Sequence, residues 1–109
     1  MAAAEAHSWV DVGSADSVAE SGTLSIEVEG VALLLVRCDA QLYAIEDRCT
    51  HDGEPLEGAE VESCQIICPR HGAHFCVRTG EALSPPAYEP LRTYLVRVAE
   101  GRILVESPL

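Results

Sequence analysis

Cys49-Thr50-His51-Asp52-Gly53-Glu54-Pro55-Leu56 and Cys68-Pro69-Arg70-His71-Gly72-Ala73-His74-Phe75 are the two stretches on which the reading of this chain turns. Sixteen residues separate His51 from Cys68. Each stretch brings one thiol and one imidazole within a few positions of each other, which implies two ligand-bearing loops. Four soft donors in two ordered pairs are poorly explained as incidental core cysteines and loop histidines. Zinc also accepts two cysteines and two histidines, but its usual signatures pair Cys with Cys and His with His at wider spacings.

Outward from these stretches, residues 47–90 are rich in Cys, His, Pro and Gly, with short apolar pieces only at Gln65-Ile66-Ile67 and Phe75-Cys76-Val77. The flanks read differently. Leu24, Ile26 and Val28 alternate with Ser25 and Glu27, as a strand with one face in a core would, and Glu29-Gly30 offers a tight turn. The run 31–36 is apolar at every position, which predicts a central strand covered on both faces. Asp39-Ala40 marks a reversal before a strand over 42–45, and a late hairpin pairs 94–98 with 103–105 around Glu100-Gly101. A short strand is expected over 9–12, and Ser17-x-x-Glu20 is a capping box for at most one helical turn. The pattern predicts an all-β domain that carries a functional insertion at 47–90.

A length of 109 residues suits a single domain spanning 1–109. Apolar residues make up 48% of the chain but aromatics only 5%, so the core is thin and a bound cofactor would help hold it. The formal net charge is −11, from 18 acidic and 7 basic side chains. Such a balance argues against nucleic acid as a partner and suits either a basic protein partner or plain solubility. No run approaches the roughly 20 apolar residues of a membrane span, and Met1 to His7 lack a basic n-region, so no membrane association and a cytoplasmic location are expected. The five cysteines form an odd set, which in that location argues for reduced thiols and metal ligands over a disulfide framework. Cys38, Cys64 and Cys76 lie in or beside predicted strands and are expected to be buried, inert and without a ligand role.

The two stretches resemble the cluster-binding loops of Rieske [2Fe-2S] proteins, and Arg78-Thr79-Gly80-Glu81 with Pro85-Pro86-Ala87 resembles the segment that follows them in that family. The resemblance is good over about residues 40–106. It implies a Rieske iron-sulfur domain, an antiparallel β-sheet base with a small inserted cluster-binding subdomain. It further implies one [2Fe-2S] cluster with Cys49 and Cys68 on the inner iron and His51 and His71 on the outer iron. Neutral imidazoles on one iron lower the negative charge that opposes reduction, so the histidine-bound iron is the reducible one and its potential exceeds that of four-cysteine clusters.

Rieske proteins of the respiratory and photosynthetic complexes carry an extra cysteine in each loop, joined as a disulfide; here Glu54 and Arg70 stand at those positions, and no loop-to-loop disulfide is expected. Those relatives also place serine and tyrosine hydroxyls where this chain has Ala73 and Phe75. Fewer donors near the sulfurs destabilise the reduced state, which implies a potential near about −150 mV rather than about +300 mV.

Together these features resemble the ferredoxin components of multicomponent aromatic-ring dioxygenases. The implied role is that of a monomeric electron carrier without substrate chemistry of its own, between a flavin-dependent ferredoxin reductase and a terminal non-heme iron oxygenase. The alternatives are a regulatory, redox-sensing or reductase small subunit and a structural zinc domain. Lesser expectations are that His74 is a solvated or backbone-bonded loop residue, that Pro85-Pro86 belongs to a loop covering the cluster, and that Gly53 and Gly72 bring backbone N–H groups toward the sulfurs. Asp47, Asp52, Glu54 and Glu57 form either an acidic docking rim or a solvated face.

Overall fold

The computed structural model describes residues 8–108, so His7 lies outside the described residues. The strands are β1 (Trp9–Ser14), β2 (Thr23–Val28), β3 (Val31–Cys38), β4 (Gln41–Glu46), β5 (Glu60–Glu62), β6 (Gln65–Ile67), β7 (His74–Cys76), β8 (Thr93–Tyr94), β9 (Val96–Ala99) and β10 (Arg102–Glu106). They form three sheets in the orders β1-β10-β9, β2-β3-β4-β8 and β5-β6-β7. All the strand pairs are antiparallel. The third sheet therefore lies within the segment that leaves the four-stranded sheet at β4 and rejoins it at β8.

β3 explains why a run apolar on both faces was needed. Leu33 and Leu35 enter one core with Val28, Ala44, Ile103 and Val105, shared with the first sheet. Leu34, Val36 and Cys38 enter a second core with Ile45, Leu56, Ile66 and Phe75, shared with the third sheet. One strand thus serves two cores by the alternation of its side chains. Its two hairpins use left-handed turn residues, Glu29 and Gly30 on one side and Asp39 and Ala40 on the other, as two-residue β-turns require.

Three expectations change. The single-turn helix is a 3-10 turn over Ala15–Ser17 capped by Ser14, whose Oγ accepts from the Asp16 N–H. Glu20 instead sends its carboxylate to the β3–β4 turn, where it accepts from the N–H groups of Asp39 (2.8 Å) and Ala40 (3.0 Å). The late hairpin is β9 with β10, whereas Tyr94 pairs with Ala44 in another sheet. The chain crosses between sheets at Leu95, which is tied to Glu106 by two hydrogen bonds.

The largest correction concerns the cysteines. Cys38 and Cys64 are buried as expected, but they are joined as a disulfide with a Cα separation of 5.5 Å. They stand 26 residues apart in sequence. The end of β3 and the β5–β6 turn meet only because the sheets stack, a proximity that cysteine spacing does not encode.

Candidate metal centre

Two loops present the sequence-predicted ligands: 47–59 between β4 and β5, and 68–73 between β6 and β7. They share one backbone pattern. The Cys49 N–H donates to the Glu54 carbonyl (2.8 Å) and the Gly53 N–H to the Cys49 carbonyl (2.7 Å). In the second loop the Cys68 N–H donates to the Ala73 carbonyl (2.8 Å) and the Gly72 N–H to the Cys68 carbonyl (3.0 Å). Gly53 and Gly72 both adopt positive φ, so each closes its loop on the cysteine carbonyl and does not aim its N–H at a sulfur. The N–H groups turned toward the Cys49 sulfur are those of His51 and Asp52.

The four side chains are brought together with a polarity. Cys49 and Cys68 are 0% and 1% exposed, and each thiol lies within the other's influence. Burial pushes the Cys49 thiol up, the neighbouring Cys68 adds to the rise, and the N–H groups of His51 and Asp52 oppose it. His51 and His71 are exposed, with ring centroids 4.9 Å apart in an edge-to-face arrangement. Sulfur donors therefore form the floor of the site and nitrogen donors its rim.

Asp52 also lies close, with one oxygen, a His51 nitrogen and the Cys49 sulfur all within 4.8 Å of one another. Its carboxylate is already engaged. Arg70 Nε donates to Oδ2 (2.7 Å), Arg70 Nη2 donates to Oδ1 (3.3 Å), and the same Nη2 reaches the Glu54 carbonyl (3.2 Å). The Arg70 guanidinium, helped by the Glu54 N–H, holds the Asp52 carboxyl well below the usual carboxylate range. Arg70 and Glu54, which occupy the positions of the absent inter-loop disulfide, thus take part in an inter-loop clamp of the polar kind.

Neighbouring expectations divide. Asp47 accepts from the Leu56 N–H (2.7 Å) and shapes the first loop from within, so of the four rim carboxylates Glu54 and Glu57 are the two exposed ones. The Thr50 hydroxyl donates to the Glu89 carbonyl (2.7 Å), and Ser84 Oγ accepts from the His74 N–H (3.0 Å), which fasten the Pro85-Pro86 segment beside the ligand loops. His74 is a strand residue whose Nδ1 sits 2.8 Å from Gln65 Oε1, not a loop histidine. Cys76 is half-buried and free; burial pushes its thiol up, but hydrogen bonds from Thr79 and the Arg78 backbone outweigh that and leave it lowered. The clamp by Arg70 and the Thr50 tie are not legible in sequence because such residues are common in any loop, and the Gln65–His74 contact because it depends on the pairing of β6 with β7; only Arg70 next to a ligand histidine offered a signal.

Two adjoining buried thiols and two facing exposed imidazoles, with the nearest carboxylate taken up by an arginine, match the donor set of a two-iron cluster with one sulfur-ligated and one nitrogen-ligated iron. The family model described as Rieske [2Fe-2S] domain matches residues 8–95. This chain belongs to the Rieske [2Fe-2S] domain family. One [2Fe-2S] cluster is the cofactor that membership implies. This Rieske chain is 39% identical over 92 residues to the 3-phenylpropionate/cinnamic acid dioxygenase ferredoxin subunit of Escherichia coli, covering 84% of this chain and 86% of the relative. The solved ferredoxin of carbazole 1,9a-dioxygenase from Nocardioides aromaticivorans superposes with a TM-score of 0.87 at 31% identity, over 92% of this chain and 98% of that one. A ferredoxin solved in a complex of reduced oxygenase and oxidized ferredoxin in carbazole 1,9a-dioxygenase gives a TM-score of 0.84 at 33% identity, over 90% and 92% of the two chains.

Proposed function

We propose that this Rieske protein is a one-electron carrier, accepting electrons from a flavin-dependent reductase and delivering them to a terminal non-heme iron oxygenase of the aromatic-ring dioxygenase kind. In this reading Cys49 and Cys68 hold the inner iron and His51 and His71 the outer iron. The observation that carries it is the contrast in exposure between the donors: the cysteines are buried, while the His71 side chain is 51% exposed. The cluster, when bound, supplies a reversible one-electron couple.

The chain's own residues do the rest. The buried thiols fix the site against the second core, the Asp52–Arg70 pair fixes the two loops relative to each other, and the exposed imidazole edges bring the redox centre within reach of a docked protein. Residues 1–109 act as one domain in which 47–90 is the cluster-binding unit. Assembly of a cluster on Cys49 and Cys68 requires both as reduced thiols, which favours a reducing compartment, and we place the protein in the cytoplasm.

The test uses the reductase and oxygenase purified from the same cells. Reduced carrier mixed anaerobically with the oxygenase becomes oxidised within one turnover, and product forms only when reductase, carrier and oxygenase are all present. A cluster that cycles normally with dithionite and ferricyanide yet passes no electron to the oxygenase overturns the proposal.

A further inference from the structure

Cys38 is the last residue of β3 and Cys64 lies in the turn between β5 and β6, so their disulfide ties the four-stranded sheet to the sheet that carries the second ligand loop. The segment it encloses contains Cys49 and His51. One further link between these sheets lies at the same corner, where Arg78, just beyond β7, spans from the Asp39 carboxylate to the Tyr43 hydroxyl. Within the third sheet the Val77 N–H donates to the Cys64 carbonyl (3.0 Å), which holds the β5–β6 turn against the end of β7. Cys64 is 7% exposed, and its sulfur stands 3.7 Å from Oδ2 of Asp39, whose side chain is 73% exposed, so Cys64 is the more accessible of the pair. Cys38, in contrast, is 2% exposed within the core.

We infer that Cys38 and Cys64 are a reversible thiol–disulfide pair whose state sets how firmly the third sheet is held to the base. The inference rests on the proposed cytoplasmic location, where disulfides are transient or redox-sensing, whereas an exported chain would keep the bond permanently. Closure is thiol–disulfide exchange with a low-molecular-weight disulfide of the glutathione type. The Cys64 thiolate attacks one of its sulfurs, the small S–S bond breaks and one small thiolate leaves. The Cys38 thiolate then attacks the Cys64 sulfur of the mixed disulfide, and the second small thiolate leaves. The two protein thiols lose two protons and two electrons, and the small disulfide is reduced to two thiols. Excess small thiol reverses both steps.

The cluster-loaded protein is equilibrated anaerobically across ratios of reduced to oxidised glutathione, quenched in acid to stop exchange, then labelled with a maleimide in neutral denaturant and weighed. Five cysteines less the bonded pair leave three labels in the closed form and five in the open form. The label number is expected to move reversibly between these values while the cluster's visible absorption stays constant. Amide hydrogens of β5 and β6 exchange several-fold faster in the open form, and Cys38→Ala shows that fast exchange at every ratio. Three labels at every ratio, five at every ratio, or a change in labels with no change in exchange each overturns the inference. Cell fractionation reads the location separately: a cytosolic protein with fixed labels refutes the inference alone, and an exported one refutes the location and the inference with it. Absence of the visible absorption refutes the electron-carrier reading, whatever the label count.

Discussion

Gly80→Ala is predicted to destabilise the protein by about 2–5 kcal/mol, and the magnitude follows from two separable costs. Gly80 adopts φ +82°, and alanine held there costs about 1–2 kcal/mol in backbone terms. A Cβ would also lie 2.2 Å from the Leu91 carbonyl oxygen and 3.1 Å from Thr93 Cγ2, whereas real Cβ contacts do not fall under 3.0 Å. The Leu91 backbone must withdraw, and its N–H donates to the Gly80 carbonyl at 2.7 Å between two buried residues. Losing that bond adds about 1–3 kcal/mol. For a domain of this size each kcal/mol lowers the melting temperature by about 4 °C, so a fall of about 8–20 °C is expected. Gly58→Ala is the control, because Gly58 has a similar φ of +86° with nothing within 4 Å of the added carbon. It should lose only the backbone part, about 4–8 °C. Far-UV circular dichroism melts of both variants, supported by urea titrations of unchanged slope, measure the difference. Equal losses in the two variants would refute the reasoning, since the close approach of Gly80 to the segment returning from the site would then carry no energy.

Ala73→Ser with Phe75→Tyr should raise the reduction potential, because each hydroxyl that reaches a sulfur stabilises the more negative reduced state; about 1 kcal/mol per donor corresponds to about 40 mV, readable by protein-film voltammetry. Arg70→Gln breaks the clamp to Asp52 and Glu54 and is expected to speed cluster loss to a chelator several-fold, with little change in the melting temperature of the apoprotein, followed by bleaching of the visible absorption. Asp11, on β1, is held below the usual carboxylate range by its hydrogen bond from Arg102 on β10. A folded value below the unfolded one means that its contribution is present above the unfolded titration range and is lost as pH falls through the folded value. The melting temperature of Asp11→Asn should therefore drop less than that of the parent between neutral and strongly acid pH.

The parts of the molecule legible in sequence were those encoded by contiguous residues. Glu29-Gly30 and Glu100-Gly101 announced hairpins because a two-residue turn needs its left-handed pair in place, and the ligand loops announced themselves because each thiol and its imidazole are close neighbours in the chain. The even apolarity of 31–36 foretold a strand covered on both sides, although not that its two faces serve separate cores. What stayed hidden depends on stacking. Tyr94, Val96 and Val98 continue one alternating pattern while the chain passes from one sheet to another at Leu95, and nothing local marks the change. The Cys38–Cys64 bond and the Asp52–Arg70 clamp join residues whose distance is set by how the sheets and loops meet. Each looked locally like an ordinary apolar cysteine or a solvated charge.

The central claim, that Cys49 and Cys68 hold one iron and His51 and His71 the other, is tested most directly by electron-nuclear measurement of nitrogen couplings to the dithionite-reduced protein's low-temperature paramagnetic signal. The account predicts a [2Fe-2S] signal coupled to two imidazole nitrogens, one coupling lost and the potential lowered in His71→Cys, where an anionic thiolate replaces a neutral ligand. A reduced signal without nitrogen coupling, or a silent protein holding stoichiometric zinc and no iron, would contradict it.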